Sequence, residues 1–120
     1  MANTANFSAT LSALINGAQI NLSGSGSITV SGVQLLQDTQ NIGTSAEALT
    51  FGEISSAPAK VFLKNLDTTN YIEIAGDSGI TQFVQKLSPG DTILLSPESA
   101  TMYAKANTAA CNLWKGAVSA

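Results

Sequence analysis

Arginine and histidine do not occur in this chain, and five lysines and eight carboxylates are its only charged side chains. Without histidine there is neither the usual general base near neutral pH nor the commonest metal ligand. Without arginine there is no bidentate fork for phosphate or guanine. A net charge of −3 has the wrong sign for a nucleic-acid partner. Cys111 is the single cysteine, so no intrachain disulfide can form, and it reads as a small buried hydrophobe. No apolar run approaches the roughly 20 residues of a membrane-crossing helix. The opening residues lack the basic and apolar regions of a signal peptide, so synthesis in a cytoplasm without classical export is expected. Neither a membrane nor a nucleic acid is an expected partner.

Serine, threonine, asparagine and glutamine supply most of the polarity. Threonine favours strands, while serine, asparagine and glycine favour turns. Apolar positions recur at every second residue: Phe7, Ala9, Leu11, Ala13 and Ile15 alternate with Ser8, Thr10, Ser12 and Leu14. Asn16-Gly17 follows, then Gln19-Ile20-Asn21-Leu22. Asn-Gly between two such runs predicts a hairpin, because a type I′ turn needs positive φ at both central residues. Ser23 to Ser27, alternating serine and glycine, is expected to be a flexible connection. It lacks the Gly-Lys-Ser/Thr of a phosphate-binding loop.

Further strands are predicted over Ile28–Val30, Val33–Gln37, Lys60–Leu66, Tyr71–Ala75, Ile80–Leu87, Thr92–Leu95, Met102–Ala106 and Cys111–Lys115. Residues 38–56 are ambiguous, Ala46–Leu49 fitting either a helical turn or a strand. Tyr71–Ala75 is expected to return as the hairpin partner of Lys60–Leu66. Turn signals fall roughly every 8–12 residues, the spacing of an antiparallel sandwich or barrel. The expected fold is an all-β, antiparallel β-sandwich, jelly-roll-like or Ig-like, of about 8–10 short strands. Residues 1–22 form an extended N-terminal arm or hairpin, and residues 23–120 a single sandwich domain.

The first charged residue is Asp38. A solvated surface normally scatters charges of both signs, whereas interface centres are depleted of them. The neutral opening segment therefore reads as one covered by other subunits, with Phe7, Leu11, Leu14, Ile15, Ile20 and Leu22 as candidate partner-binding residues. The alternative is that it supplies inner strands of the sandwich, with serine and threonine facing water.

No catalytic constellation is legible. Asp67, Asp77 and Asp91 lie in predicted turns, where aspartate caps backbone amides. Glu73, between Ile72 and Ile74, reads as the solvent face of a strand. The serines have no histidine to activate them. The chain is expected not to be an enzyme and to need no cofactor or metal.

Three segments, "VFLKNLDTTNYIEIAGD" (61–77), "KLSPGDTILL" (86–95) and "MYAKANTAACNLW" (102–114), resemble small virion-associated proteins of tailed bacteriophages. The likeness covers residues 58–115, about half the chain. It implies a compact β-sandwich used as a virion part and carries no catalytic residues. The function it implies is a capsid decoration or cement protein that stabilises the head by binding the major capsid protein. A homotrimer or homodimer is expected, located on the virion surface after synthesis in a bacterial host. The alternatives are a tail, neck or fibre component, or a carbohydrate- or receptor-binding module stacking sugars on Trp114, Tyr103 and Tyr71.

Overall fold

The computed structural model describes residues 3–120, which form ten strands. They are β1 (Asn3–Ile15), β2 (Ala18–Val30), β3 (Leu35–Ile42), β4 (Glu47–Ala48) and β5 (Lys60–Asn65). The others are β6 (Ile72–Ala75), β7 (Gln85–Leu87), β8 (Thr92–Leu95), β9 (Tyr103–Ala106) and β10 (Cys111–Val118). There is no helix among the described residues. One four-stranded sheet runs β3-β10-β5-β8, a second runs β4-β9-β6-β7, and every pairing is antiparallel. The two sheets face each other as a β-sandwich. β1 and β2 form a separate two-stranded sheet. Most of the neutral segment therefore lies outside the two sandwich sheets; only residues 35–37 enter them, at the start of the edge strand β3.

Alternation sets the core. In β10, Cys111, Leu113, Lys115 and Ala117 point inward, while Asn112, Trp114, Gly116 and Val118 do not. β5 turns Val61, Leu63 and Asn65 inward. The opposite sheet answers with Ile72, Ile74, Leu87, Ala104 and Ala106. Each fully buried leucine or isoleucine contributes about 1.5–3 kcal/mol. The small alanines of β9 leave room for Phe51 and Met102, which fill the same core from loops.

Three polar side chains, Asn65, Lys115 and Ser119, are buried with the apolar ones, and no buried side-chain nitrogen or oxygen among the described residues lacks a hydrogen-bond partner. Asn65 is wholly buried, and its Nδ2 donates to the carbonyls of Asn70 (2.9 Å) and Leu87 (3.0 Å). Its Oδ1 accepts from the amide of Asp67 (2.9 Å). The carboxylate of Asp67 in turn accepts from the amides of Thr69 (2.9 Å) and Asn70 (2.6 Å). Those amides hold the Asp67 carboxyl below the usual carboxylate range. This asparagine–aspartate pair bends the chain out of the first sheet and into the second. Consequently β6 does not return as the hairpin partner of β5; it pairs with β9 and β7. A turn rich in Asp, Thr and Asn looks the same in sequence whether it closes a hairpin or an arch between sheets.

Lys115 is the second enclosed group, 1% exposed. Its Nζ donates to Gln40 Oε1 (2.8 Å), Thr50 Oγ1 (2.8 Å) and the Thr50 carbonyl. Asp38, its cross-strand partner on β3, lies 3.4 Å away. Burial pushes the ammonium below its ordinary pKa, and the Asp38 carboxylate opposes that shift. Gln40 also binds the Glu47 carboxylate (3.1 Å) and the Ala48 carbonyl (3.1 Å). The network thereby fastens the β3 edge to β4 and the segment carrying Leu49 and Phe51, and so resolves the ambiguous region 38–56.

Other elements differ from the sequence expectation. β3 begins at Leu35 rather than Val33, and Ala46–Leu49 contributes the short strand β4. Residues 80–84 are not strand, so only Gln85–Leu87 survives of the predicted Ile80–Leu87 run. Ser23 to Ser27 is no flexible connection but continuous strand within β2, paired residue by residue with Asn6 to Thr10. Its serines and glycines do not oppose strand formation when a full-length partner lies alongside.

Asn65→Ala should lower unfolding stability in urea by about 2–3 kcal/mol, because it strands two carbonyls and an amide in the interior. A loss below about 0.5 kcal/mol would show that the arch holds without the side chain.

Candidate functional site

Because side chains alternate along a strand, the hairpin register sorts every residue onto one of two faces. Ala5/Ile28, Phe7/Gly26, Ala9/Gly24, Leu11/Leu22, Ala13/Ile20 and Ile15/Ala18 are the cross-strand pairs of one face. Apart from Asn3, which lies opposite Val30 at the open end of the hairpin, that face is apolar throughout. Thr4/Thr29, Asn6/Ser27, Ser8/Ser25, Thr10/Ser23, Ser12/Asn21 and Leu14/Gln19 form the other. It is polar and uncharged apart from Leu14. The Asn16-Gly17 turn has φ of 51° and 83°, the positive values of the expected two-residue turn.

The structure therefore brings Phe7, Leu11, Ile15, Ile20 and Leu22 together and sets Leu14 on the opposite face. Leu11, Ile15 and Leu22 are 58%, 67% and 61% exposed. The hairpin's exposed large apolar side chains are confined to its outer part. At the root, Val30 is buried, and the Phe7 ring lies across Gly26, where an added Cβ would come within 2.8 Å of it. Lys60 Nζ sits 4.3 Å from the centre of the same ring, a cation–π contact. Gly32 allows the chain to pass against Ser119, whose Oγ accepts from the Gln34 amide (3.0 Å). The hairpin is thus fixed at its base and bare beyond it. Between its root and the first sheet lies an open groove of about 490 Å³, lined by Phe7, Leu35, Phe62, Leu94 and Trp114.

The loop of residues 76–84 offers a second exposed apolar feature, which the strand pattern concealed. Asp77 Oδ1 accepts from the amides of Thr81 (2.8 Å) and Gln82 (2.8 Å), and Oδ2 from the Thr81 hydroxyl (2.6 Å). The hydroxyl first, then the two amides, keep the Asp77 carboxyl below the usual range. Wound around that carboxylate, the backbone takes positive φ at Ile80 (53°) and Phe83 (52°). For residues other than glycine this is a strained conformation. Phe83 stands 89% exposed above a recess of about 550 Å³ lined by Ile74, Ile93, Leu95, Pro97 and Met102. The sequence signal for it was Asp77-Ser78-Gly79, a turn whose capping reaches further along the chain than its composition shows.

The three aromatics considered for sugar stacking do not form one platform. Trp114 lies on the outer face of the first sheet, edge-on to Phe62 at 5.4 Å. Tyr103 belongs to β9 of the second sheet, and Tyr71, preceding β6 of that sheet, lies 4.5 Å below Lys86. Cys111 is buried, and burial raises its thiol pKa, which leaves it protonated at neutral pH. No three metal-ligating side chains converge among the described residues. Comparison with protein-family models, curated proteins and solved structures finds no match for this chain.

Phe83→Gly is expected to leave stability unchanged or raise it by up to about 1 kcal/mol, since relief of the left-handed backbone offsets the added flexibility of glycine. A fall of more than about 1 kcal/mol in thermal or urea unfolding would show that the ring packs on its own body.

Proposed function

We propose that the protein is a structural subunit of a bacteriophage particle, a decoration or cement protein of the head, whose sandwich body is joined to neighbouring subunits through its N-terminal hairpin. The observation that carries this reading is the exposed apolar face of a neutral hairpin rooted on an otherwise self-sufficient fold. The resemblance of residues 58–115 to virion-associated proteins supplies the kind of particle. Burial of that face removes apolar surface from water without desolvating any ion. Each interface so formed stabilises the assembly by mass action. An open strand edge adds main-chain hydrogen bonds to a neighbour. A contact of this kind depends weakly on salt, because no charge lies in it to be screened.

The test uses heads that lack the native protein. Ile20→Asp combined with Leu22→Asp should reduce coating affinity by at least about 100-fold, two carboxylates being forced into an apolar contact. Coating at unchanged affinity would reject the hairpin as the contact. Copy number on purified virions, read from a stained gel, separates the locations. Hundreds of copies support a head protein, a few to dozens place it in tail or neck, and none rejects the virion reading.

A further inference from the structure

The hairpin has two unpaired edges as well as a bare face. Its thirteen cross-strand pairs run without a bulge, and residues 3–30 contain no proline and no charged side chain. Proline, charge and bulges are the devices by which proteins blunt an edge strand, and all three are missing. The outer edge of β1 and the outer edge of β2 are equal in length, 13 residues each, and identical in alternation. The strand best matched to either edge is therefore the other strand of a second copy. Side by side, β2 of one copy and β1 of the next run antiparallel, with apolar faces on the same side.

We propose that the hairpins of three copies of this chain pair edge to edge and close into a six-stranded barrel with the apolar face inward. This deepens the reading of the hairpin as an interface and does not depend on the identity of the particle.

Area argues for closure over a simple pair. Beyond the root, the free part of β1 from Ser8 to Ile15 spans about 26 Å and the two strands together about 10 Å. Stacking two such faces covers a few hundred Å² on each copy, below the roughly 800 Å² per partner of a stable interface. A ring uses both edges and the face at once, and it leaves no edge open.

Side-chain size sets the number of copies. An eight-stranded barrel is just filled by side chains of ordinary size, so a narrower one needs smaller residues. Ala9/Gly24 is small on both strands, and Ala13/Ile20 and Ile15/Ala18 each pair a small residue with a large one. Leu11/Leu22 alone is large on both and fills the middle. The Ser, Thr and Asn residues of the other face then meet water. Charge permits the approach, since every ionised side chain lies beyond residue 37.

A lipid bilayer is the competing occupant, with the apolar face turned outward. Lipid-facing hairpins carry aromatic girdles at both interfaces. Here Phe7 is the hairpin's only aromatic residue, and it is folded over Gly26 beside Lys60 at the root.

Native mass spectrometry and light scattering on the full chain, without particles or lipid, should show a trimer at micromolar concentration, with slow amide exchange over residues 8–25. Leu11→Asp should give a monomer whose sandwich melts as before, and Leu14→Ser, on the outer face, should leave the trimer intact. A wild-type monomer exchanging rapidly over 8–25 would overturn the barrel. So would a trimer that survives Leu11→Asp, or protection appearing only with phosphatidylcholine–phosphatidylglycerol vesicles and accompanied by dye release. A monomer that still coats heads removes the barrel and keeps the virion reading; a trimer that coats none does the reverse.

Discussion

A two-stranded sheet with one apolar face cannot satisfy itself. In the sandwich, each sheet buries its inner face against the other, and the hydrophobic requirement is met within one chain. The β1–β2 hairpin has no second layer beyond its root. Main-chain pairing gives it internal order, but an isolated two-stranded hairpin is marginal in water. Its stability and the destination of its apolar face are therefore the same question, and the proposed contact with other chains is an answer to both.

The body shows what self-sufficiency requires. Asn65 and Lys115 are polar groups enclosed in the core, yet each finds partners for its donors within a single molecule. Asn65 directs the chain between sheets, and Lys115 fastens the edge segment that carries Phe51. The Lys115 ammonium is desolvated, and its proximity to Asp38 offsets only part of that cost. Such groups are tolerated because they fix one arrangement of loops. Nothing comparable fixes the outer hairpin; its side-chain anchors, Phe7 on Gly26 and beneath Lys60 and the Asn3 Nδ2 donating to the Gly32 carbonyl (3.2 Å), are at the base.

How far the fold could be read from sequence follows from the range of the forces involved. The hairpin was legible because alternation and the Asn16-Gly17 turn are local signals. The partition of Phe7, Leu11, Ile15, Ile20 and Leu22 from Leu14 follows from parity alone. The extension of β2 through Ser23 to Ser27 was hidden, since serine and glycine become strand only when residues 6–10 lie beside them. The partner of β6 was hidden for a similar reason: Asn65 acts through Asn70 and Leu87, and composition cannot show a bond of that reach. At Phe83, alternation pointed to a strand, and capping by Asp77 prevailed over it. The candidate site was thus more legible than the body, because it is built from contacts near in sequence.

The distribution of charge ties these observations together. A few lysines on β1 and β2 would have kept the free hairpin soluble and blocked pairing at its edges. The same lysines would have to be desolvated, or repel one another, once neighbouring chains closed over the face. Serine, threonine and asparagine avoid both penalties, since they hydrogen-bond with water on the outer face and carry no field to a neighbour. The body beyond residue 37 keeps all the ions and, with them, the net charge of −3. That separation is what a chain needs if one part must stay dispersed in solvent while the other is completed by contact.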